Sequence, residues 1–505
     1  MDLATHLLKS KALTPEQLQQ AEAYQEKYGG FLAENILELN LITPEELAKL
    51  LPIYPPLPRT FQELGVPRWL LAQLLLKHAY FLDSFSSVEI AQELKIPEHL
   101  VEGIIDYLKD KMFLNAKTRN GMAKGSTVVS VMLRYAISEL GKAHAEQCLE
   151  LNSYVGPAPV SLEHYWDWVE AQTIHREKVD RERLHEVCAD YVFTAEMLDK
   201  VGPAINSGRA MFLFGPSGNG KTLLARCVAE AFQDHIFIPY ALYVHGQIVR
   251  LYDEVNHRPV EDPPEAPRHD GRWVRCRRPV VIAGGEMTED NMELKYNPTL
   301  KYYEAPHHLR ANNGIYIIDD FGRQRIKPQQ LLNRWMFPLE TRQDFLFLRT
   351  GQQFAIPFDQ LIIFCTNLNP YSLADEAFLR RIRHKIYLGY VSPEQFTEIF
   401  RRNCSQHGLE FNPEMARYLL TRYFVQPSRP LCACHSRDLL EMILDRARFF
   451  GQPPQLTIQE LDEVCQSYFV KVVGIADYDA LPPAPQSPWQ AWEAQNLLAR
   501  STDNS

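Results

Sequence analysis

The stretch GPSGNGKT, residues 215–222, follows the apolar run AMFLF and precedes the helical pattern LLARCVAEAF. A buried strand, a glycine-rich turn and a helix in this order form a P-loop, whose backbone N–H groups face phosphates at the helix N-terminus. Lys221 is expected to reach the β- and γ-phosphates, and the Thr222 hydroxyl to bind magnesium. The predicted phosphate-binding residues are Gly215, Pro216, Ser217, Gly218, Asn219, Gly220, Lys221 and Thr222.

The run GIYIIDDF, residues 314–321, predicts another strand of the same sheet. Its apolar residues are typical of a buried parallel strand, and carboxylates follow at the strand end. Asp319 is the predicted magnesium-binding acid, and Asp320 stands where a Glu commonly polarises the attacking water. Alone, such an Asp-Asp pair more often marks a solvated strand end, but the P-loop upstream favours the catalytic interpretation. The shorter side chain of Asp320 leaves the rate of hydrolysis open.

Three later segments resemble motifs of AAA+ ATPases. The run LIIFCTN, residues 361–367, resembles the sensor-1 strand, whose terminal polar residue would be Asn367. The segment ADEAFLRRIRHKI, residues 374–386, resembles the arginine-finger motif and offers Arg380 and Arg381, for which a solvated helix face is the alternative. Helical patterns at residues 393–404, 413–423 and 436–449 predict a helical lid, and Arg437 occupies the position of a sensor-2 arginine.

The AAA+ resemblance covers roughly residues 175–472, and the motif order is that of a bacterial group of predicted AAA-family ATPases. It implies ATP and Mg²⁺ as cofactors, ATP hydrolysis, and assembly with further copies into a ring homo-oligomer, a hexamer. The implied fold class is multidomain α/β, in which a P-loop AAA+ parallel sheet with a helical lid follows a small helical repeat domain and a winged-helix domain.

The N-terminus contains an internal repeat, ALTPEQL at residues 12–18 and LITPEEL at residues 41–47. In each copy a threonine is placed to cap a helix that begins with proline and acidic residues. The repeat resembles the N-terminal domain of type II secretion and type IV pilus assembly ATPases. Some members bind cyclic di-GMP through Arg-Leu-Gly, but Phe31, Leu32 and Ala33 stand here, so we expect a docking module.

Residues 69–152 predict three helices, a β-hairpin and a further helix, the order of a winged-helix domain. The helices are expected at residues 69–81, 87–94 and 98–112, and the hairpin within residues 113–137. The third helix carries four acidic residues, Glu98, Glu102, Asp106 and Asp110, against two lysines. Such a helix would repel DNA phosphates, so protein contact is favoured over DNA recognition.

An insertion separates the two phosphate-site motifs, because Asp319 follows Gly215 by 104 residues. Residues 243–260 predict a β-hairpin in it. An arginine cluster with an aromatic residue follows, and it could grip nucleic acid or an acidic protein segment, or form a solvated loop at a subunit interface. The cluster comprises Arg268, Arg272, Trp273, Arg275, Arg277 and Arg278.

Composition limits the remaining options. The chain has 505 residues, 46% apolar and 23% charged, with a net charge of −10, which indicates an ordinary multidomain globular protein. The N-terminus has no signal-peptide pattern, and no apolar stretch is long enough for a bilayer, so a cytoplasmic protein without membrane insertion is expected. Its nine cysteines are expected to be reduced thiols. Neither the Cys432, Cys434, His435 group nor His307 and His308 has the spacing of a metal site.

The predicted domains are residues 1–53 (helical repeat), 60–152 (winged helix), 175–391 (ATPase core), 392–473 (lid) and 474–505 (flexible tail), with a stiff proline-rich linker at residues 52–58. The leading hypothesis is an ATP-hydrolysing ring that remodels a protein partner chosen by the N-terminal domains, in secretion or pilus machinery. One alternative is a DNA-associated ATPase that uses the winged helix and arginine cluster. Another is a nucleotide-gated scaffold with little turnover.

Overall fold

In the N-terminal unit, the described residues include two short helices. The computed structural model describes residues 7–8, 12–28, 32–43, 54–118, 133–264 and 267–469. Helices α1 (Pro15–Tyr28) and α2 (Leu32–Glu38) pack through leucine, alanine and isoleucine side chains. Thr14 begins α1 as predicted, since its Oγ1 accepts from the Gln17 N–H at 3.2 Å while its own N–H donates to Gln17 Oε1 at 2.9 Å. The second repeat, from Pro44 to residue 53, lies outside the described residues.

The second unit has the elements that the sequence predicts. Helices α3 (Arg68–Tyr80), α4 (Ser87–Leu94) and α5 (Glu98–Asp110) precede the antiparallel strands β1 (Leu114–Thr118) and β2 (Leu133–Ile137), and α6 (Glu139–Leu151) follows. A capping box between Ser86 and Glu89 sets the start of α4. The tip of the hairpin, residues 119–132, lies outside the described part of the chain. The assignment of this unit as a winged helix stays a prediction.

The proline-rich segment before this unit is extended, as predicted, but it is not a free linker. Pro56 forms a β-bridge with His269 of the insertion, and the Asp270 N–H donates to the Pro55 carbonyl at 3.0 Å. The Tyr54 ring contacts Phe237 edge-on, with 5.4 Å between the ring centroids. The segment therefore packs against the insertion and connects the N-terminal units to it.

The insertion folds together with a segment that precedes the predicted border at residue 175. Strand β3 (Val160–Ser161) and helix α7 (Leu162–Ala171) precede that border, and β3 pairs in parallel with β6. A five-stranded sheet has the order β10-β11-β7-β6-β3, and β5 pairs with β8. The hairpin predicted over residues 243–260 is present but shorter and displaced toward the N-terminus, since its strands β6 and β7 cover residues 241–250. The insertion strands are β5 (His235–Pro239), β6 (Ala241–Val244), β7 (Gln247–Arg250), β8 (Trp273–Arg277), β10 (Lys295–Asn297) and β11 (Tyr302–Glu304).

A five-stranded, fully parallel sheet forms the centre of the P-loop domain, in the order β16-β4-β15-β12-β9. Its strands are β4 (Met211–Phe214), β9 (Val280–Ala283), β12 (Gly314–Ile318), β15 (Gln360–Thr366) and β16 (His384–Tyr387). Helices α8 (Arg181–Val187), α9 (Ala195–Asn206) and α10 (Lys221–Ala231) pack on one face. The other face is covered by α12 (Pro328–Thr341), which buries Trp335, and by α14 (Glu376–Arg381).

The remaining elements complete the domain and its lid. Helix α11 (His307–Arg310), the hairpin β13 (Gln343–Phe347) and β14 (Gln353–Pro357), and α13 (Pro370–Leu373) connect the core strands. Four lid helices share one apolar cluster: α15 (Pro393–Gln406), α16 (Pro413–Leu420), α17 (Cys434–Phe450) and α18 (Ile458–Tyr468). The predicted multidomain α/β fold, with a parallel sheet around the P-loop and a helical lid, is confirmed.

The predicted flexible tail, residues 474–505, lies outside the described residues. Within the part of the chain that the structure describes, no helix combines the length and apolar character needed to cross a bilayer.

Candidate functional site

The P-loop connects β4 to α10 and depends on its glycines. Gly215, Gly218 and Gly220 have φ angles of 142°, 78° and 86°, a backbone region that residues other than glycine rarely adopt. A Cβ atom on Gly215 would also lie 2.0 Å from the Leu388 carbonyl oxygen. The loop leads into the N-terminus of α10, where N–H groups without intrahelical partners can bind an anion.

The Lys221 ammonium is held inside this loop. Its Nζ donates to the carbonyl oxygens of Gly215 at 3.0 Å and Pro216 at 2.9 Å. Burial lowers the pKa of this ammonium below its ordinary value. Because backbone carbonyls are weaker partners than phosphate oxygens, the lysine is positioned to transfer to a phosphate.

Thr222 and Asp319 meet beside the loop, although 97 residues separate them. The Thr222 hydroxyl lies 2.9 Å from both carboxylate oxygens of Asp319, which follows the end of β12. A hydroxyl and a carboxylate are hard oxygen donors of the kind that Mg²⁺ prefers, so this pair fits that ion. The pair is the arrangement that the sequence predicted, brought together at the carboxyl ends of β4 and β12.

Asp320 is exposed and has a left-handed backbone, with φ at 50°. Its N–H donates to Asp319 Oδ1 at 3.0 Å. Gln324, which the sequence analysis missed, closes the turn, since its Nε2 donates to the Asp319 carbonyl and its Oε1 accepts from Gly322 N–H, both at 2.8 Å. A glutamine five residues after an acid carries no recognisable signal. The turn leaves the Asp320 carboxylate open to solvent.

Asn367 follows β15, which lies between β4 and β12 in the sheet. Its Oδ1 is buried without a hydrogen-bond partner among the described residues. The preceding Thr366 is used structurally, because its Oγ1 donates to the Phe321 carbonyl at 2.6 Å. Asn367 is therefore the polar group at this strand end that remains available, since a buried unpaired acceptor is costly and favours an incoming donor.

The two finger candidates differ in their surroundings. The side chain of Arg380 is 76% exposed and pairs with Glu376 one turn earlier on α14. Arg381 is 24% exposed, pairs with Glu340 of α12, and donates to the Ala377 carbonyl at 2.8 Å. Arg381 thus connects α14 to α12 through an ion pair, whereas the Arg380 side chain is exposed to solvent.

Arg437 is not the residue that joins the lid to the loop. Its side chain is 60% exposed and pairs with Asp438 and Glu441 of the same helix. The contact is made just before and at the start of α17, where the Ala433 N–H donates to Asn219 Oδ1 at 3.1 Å and the Cys434 N–H to the Gly218 carbonyl at 2.9 Å. We call these two hydrogen bonds the lid clasp.

We expect Asn219→Ala to loosen the lid clasp by removing the acceptor for the Ala433 N–H. A net hydrogen bond of about 1 kcal/mol corresponds to about fivefold faster amide exchange at residue 433. Hydrogen–deuterium exchange of the nucleotide-free chain measures this, with α18 as the internal reference. Asn219→Asp keeps an acceptor and should retain the protection; equal exchange in wild type and Asn219→Ala would refute the role of the side chain.

The connection between α8 and α9, residues 188–194, contains Tyr191 and Phe193 and also borders the P-loop. A Cβ atom on Gly220 would lie 3.6 Å from the Phe193 ring, and Arg402 of the lid donates to the Ala189 carbonyl at 2.6 Å. The segment therefore touches both the P-loop and the lid. Nothing in its sequence pattern marks it, because it is an irregular connection between two helices.

The predicted arginine cluster is not a surface patch. Arg272 is 1% exposed, pairs with Asp270, and donates to the Leu64 and Pro159 carbonyls at 2.8 and 3.1 Å. Arg278 is 6% exposed and pairs with Asp234. Trp273 packs in the insertion core, so both the gripping surface and the solvated-loop alternative are wrong for these three residues. Arg268, Arg275 and Arg277 remain accessible.

The histidines of interest take structural positions. His308 is 1% exposed, with its Nε2 3.0 Å from Asp344 Oδ2, in agreement with a packing role. His435 Nδ1 accepts from the Cys432 N–H at 3.2 Å, and burial lowers the pKa of its ring to about 4. Burial also raises the pKa of the Cys432 thiol to about 12, which disfavours the metal-binding thiolate. Among the described residues, no group of three His, Cys, Asp or Glu side chains is placed to hold a metal.

Comparison with known proteins gives a family match for the lid. Residues 392–467 match a model described as a domain of unknown function (DUF8689). No curated protein matches the chain.

Solved structures similar to this chain include two bacterial proteins. A variant of Thermotoga maritima RuvB is 12% identical, with 57% of this chain and 74% of that chain covered and a TM-score of 0.32. Brucella abortus NtrX in complex with ADP is 16% identical, with 62% and 64% covered and a TM-score of 0.35. At TM-scores below 0.5, these likenesses carry no functional inference.

Proposed function

We propose that this chain binds ATP with Mg²⁺ and hydrolyses it as an AAA+ ATPase. The observation that carries the proposal is the Thr222 hydroxyl 2.9 Å from both oxygens of Asp319, directly beside a glycine-rich loop with a half-buried lysine. The hydroxyl belongs to the helix after the loop, and the carboxylate follows a different strand of the sheet. Their position suits a cation that neighbours bound phosphates.

Each residue has a distinct task in this proposal. The loop N–H groups bind the phosphates, and Lys221 leaves its two carbonyls to contact the terminal phosphate oxygens. Thr222 and Asp319 would hold Mg²⁺, which neutralises phosphate charge when bound. Asp320 accepts a proton from, or orients, the attacking water, and the unpaired oxygen of Asn367 positions that water. The lid clasp couples the conformation of the P-loop to the position of α17.

We further propose a ring homo-oligomer, a hexamer, in which Arg380 acts on the nucleotide of the neighbouring copy. Its exposure supports this role over Arg381, which is held by Glu340. Arg437, also exposed, would need to leave its acidic partners on α17 to reach a nucleotide.

We expect Arg380→Ala to lower ATP turnover about tenfold, because a charge-assisted contact with the phosphate is lost. Arg381→Ala is the matched control and should keep most turnover. Mixing Arg380→Ala with Asp320→Asn copies should restore activity, since mixed rings contain sites with both groups intact. Phosphate release measures it; a mixture that never exceeds the sum of its parts would rule out action between subunits.

We propose that ATP hydrolysis drives the remodelling of a protein partner, which the two N-terminal units select. The resemblance of the first unit to pilus and secretion ATPases links this partner to such machinery. Exposed carboxylates on α5, at Glu98, Glu102, Asp106 and Asp110, support protein contact over DNA. The burial of Arg272 and Arg278 removes much of the positive surface that the DNA alternative required.

Steady-state phosphate release tests the proposal against the scaffold alternative. The wild-type chain should release phosphate faster than Lys221→Ala. A wild type that binds ATP but releases phosphate no faster than this variant would establish a nucleotide-gated scaffold instead.

A further inference from the structure

The direction of the Asp320 side chain is set by the two peptide groups on either side of it. Its φ angle of 50° lies in the left-handed region, which aspartate enters more readily than most residues but still at a cost. Such a conformation persists where surrounding hydrogen bonds hold it. The groups that hold this backbone therefore decide where the carboxylate points.

The peptide group that joins Asp319 to Asp320 is hydrogen-bonded at both ends. Its N–H, which belongs to Asp320, donates to Asp319 Oδ1 at 3.0 Å. Its carbonyl, which belongs to Asp319, accepts from Gln324 Nε2 at 2.8 Å. A rotation of this peptide group would break both bonds, so the φ angle of Asp320 depends on the Gln324 amide.

The next peptide group, from Asp320 to Phe321, is held by backbone partners. Its carbonyl accepts from the Arg323 N–H at 2.9 Å, and its N–H donates to the Cys365 carbonyl of β15 at 2.7 Å. These two bonds fix the ψ angle of Asp320 without a side chain. The side of Asp320 that a side-chain substitution can release is therefore the one held by Gln324.

Gln324 holds a second peptide group of the same turn. Its Oε1 accepts from the Gly322 N–H at 2.8 Å. The carbonyl of that peptide group, which belongs to Phe321, accepts from Oγ1 of Thr366, the last residue of β15, at 2.6 Å. One amide thus holds the peptide groups before and after the Asp320–Phe321 peptide, and the turn is fixed to the neighbouring strand.

We propose that Gln324 is a positioning residue for ATP hydrolysis, which keeps the Asp320 carboxylate in the orientation that meets the attacking water. The inference rests on the proposed function of Asp320 and assigns Gln324 no contact with the nucleotide. The half-buried Gln324 amide uses its oxygen and its nitrogen within the turn. Because both hydrogen bonds lie within the turn, their loss should affect the chemical step and leave ATP binding unchanged.

We expect Gln324→Ala to lower the single-turnover rate of phosphate release about tenfold to hundredfold, the scale on which a misplaced reacting group acts. The Kd for ATP with Mg²⁺, measured by calorimetric titration, should equal that of wild type. Gln329→Ala is the matched control, because this glutamine is exposed on the first turn of α12 and should release phosphate at the wild-type rate.

A double-mutant cycle with Asp320→Asn separates positioning from general structural support. Gln324 acts through the Asp320 carboxylate, so Gln324→Ala should cause no further loss of rate in the Asp320→Asn background. A merely structural role would lower the rate by the same factor in both backgrounds.

Three outcomes would overturn the proposal: a Gln324→Ala rate equal to that of wild type, a loss of ATP binding together with rate, or the same loss of rate in both backgrounds. If wild type still releases phosphate faster than Lys221→Ala, the ATPase proposal stands and this inference alone fails. If wild type is no faster than Lys221→Ala, the ATPase proposal fails and the inference fails with it.

Discussion

Lys221→Ala is expected to lower ATP turnover by about 10³-fold, the scale on which loss of a preorganised charge-stabilising group acts. The wild-type ammonium is already inside the loop, bonded to Gly215 and Pro216, and needs only a short movement to meet phosphate oxygens. Alanine removes this charge, and water cannot replace it well because the position is half-buried. Steady-state phosphate release at saturating ATP measures the effect.

Lys200→Ala provides the control for the lysine prediction. Lys200 is exposed and pairs with Glu196 on α9, so its loss should leave turnover unchanged. If Lys221→Ala retained a large share of wild-type turnover, the lysine would have no role in phosphate chemistry.

Asp320→Asn is expected to reduce turnover roughly 10²–10⁴-fold, the range of general base catalysis, while ATP binding stays intact. Asparagine tolerates the left-handed backbone of this position, where φ is 50°, so the substitution removes the carboxylate without straining the turn. Measuring kcat beside the Kd for ATP separates the two effects.

Asp320→Glu complements that experiment because it keeps the carboxylate and adds the methylene that Glu usually supplies at this position. We expect it to retain substantial turnover. If Asp320→Asn were as fast as wild type, another group would activate the water and the assignment of Asp320 would be wrong.

The geometry of the candidate phosphate site was predictable because the residues of its loop are contiguous in sequence. Eight consecutive residues specify the loop, and an apolar run that ends in acids specifies the strand that brings Asp319 to Thr222. The helical bounds of the second unit followed for the same reason, since capping and apolar periodicity are local properties.

Features that join distant segments were not predictable. The lid clasp links Asn219 to Ala433, which are 214 residues apart, and neither residue has a pattern that announces the other. The arginine cluster failed for a related reason. Arg272 donates to the distant Leu64 and Pro159 carbonyls, and Arg278 pairs with Asp234 where β5 and β8 lie side by side.

Calorimetric titration of the full chain with ATP, with and without Mg²⁺, tests most directly whether the loop at residues 215–222 binds a nucleotide triphosphate. We predict saturable heat that strengthens with Mg²⁺ and is lost in Lys221→Ala. Absence of any heat from the folded wild-type chain at millimolar ATP with Mg²⁺, or equal heat from wild type and Lys221→Ala, would contradict the assignment.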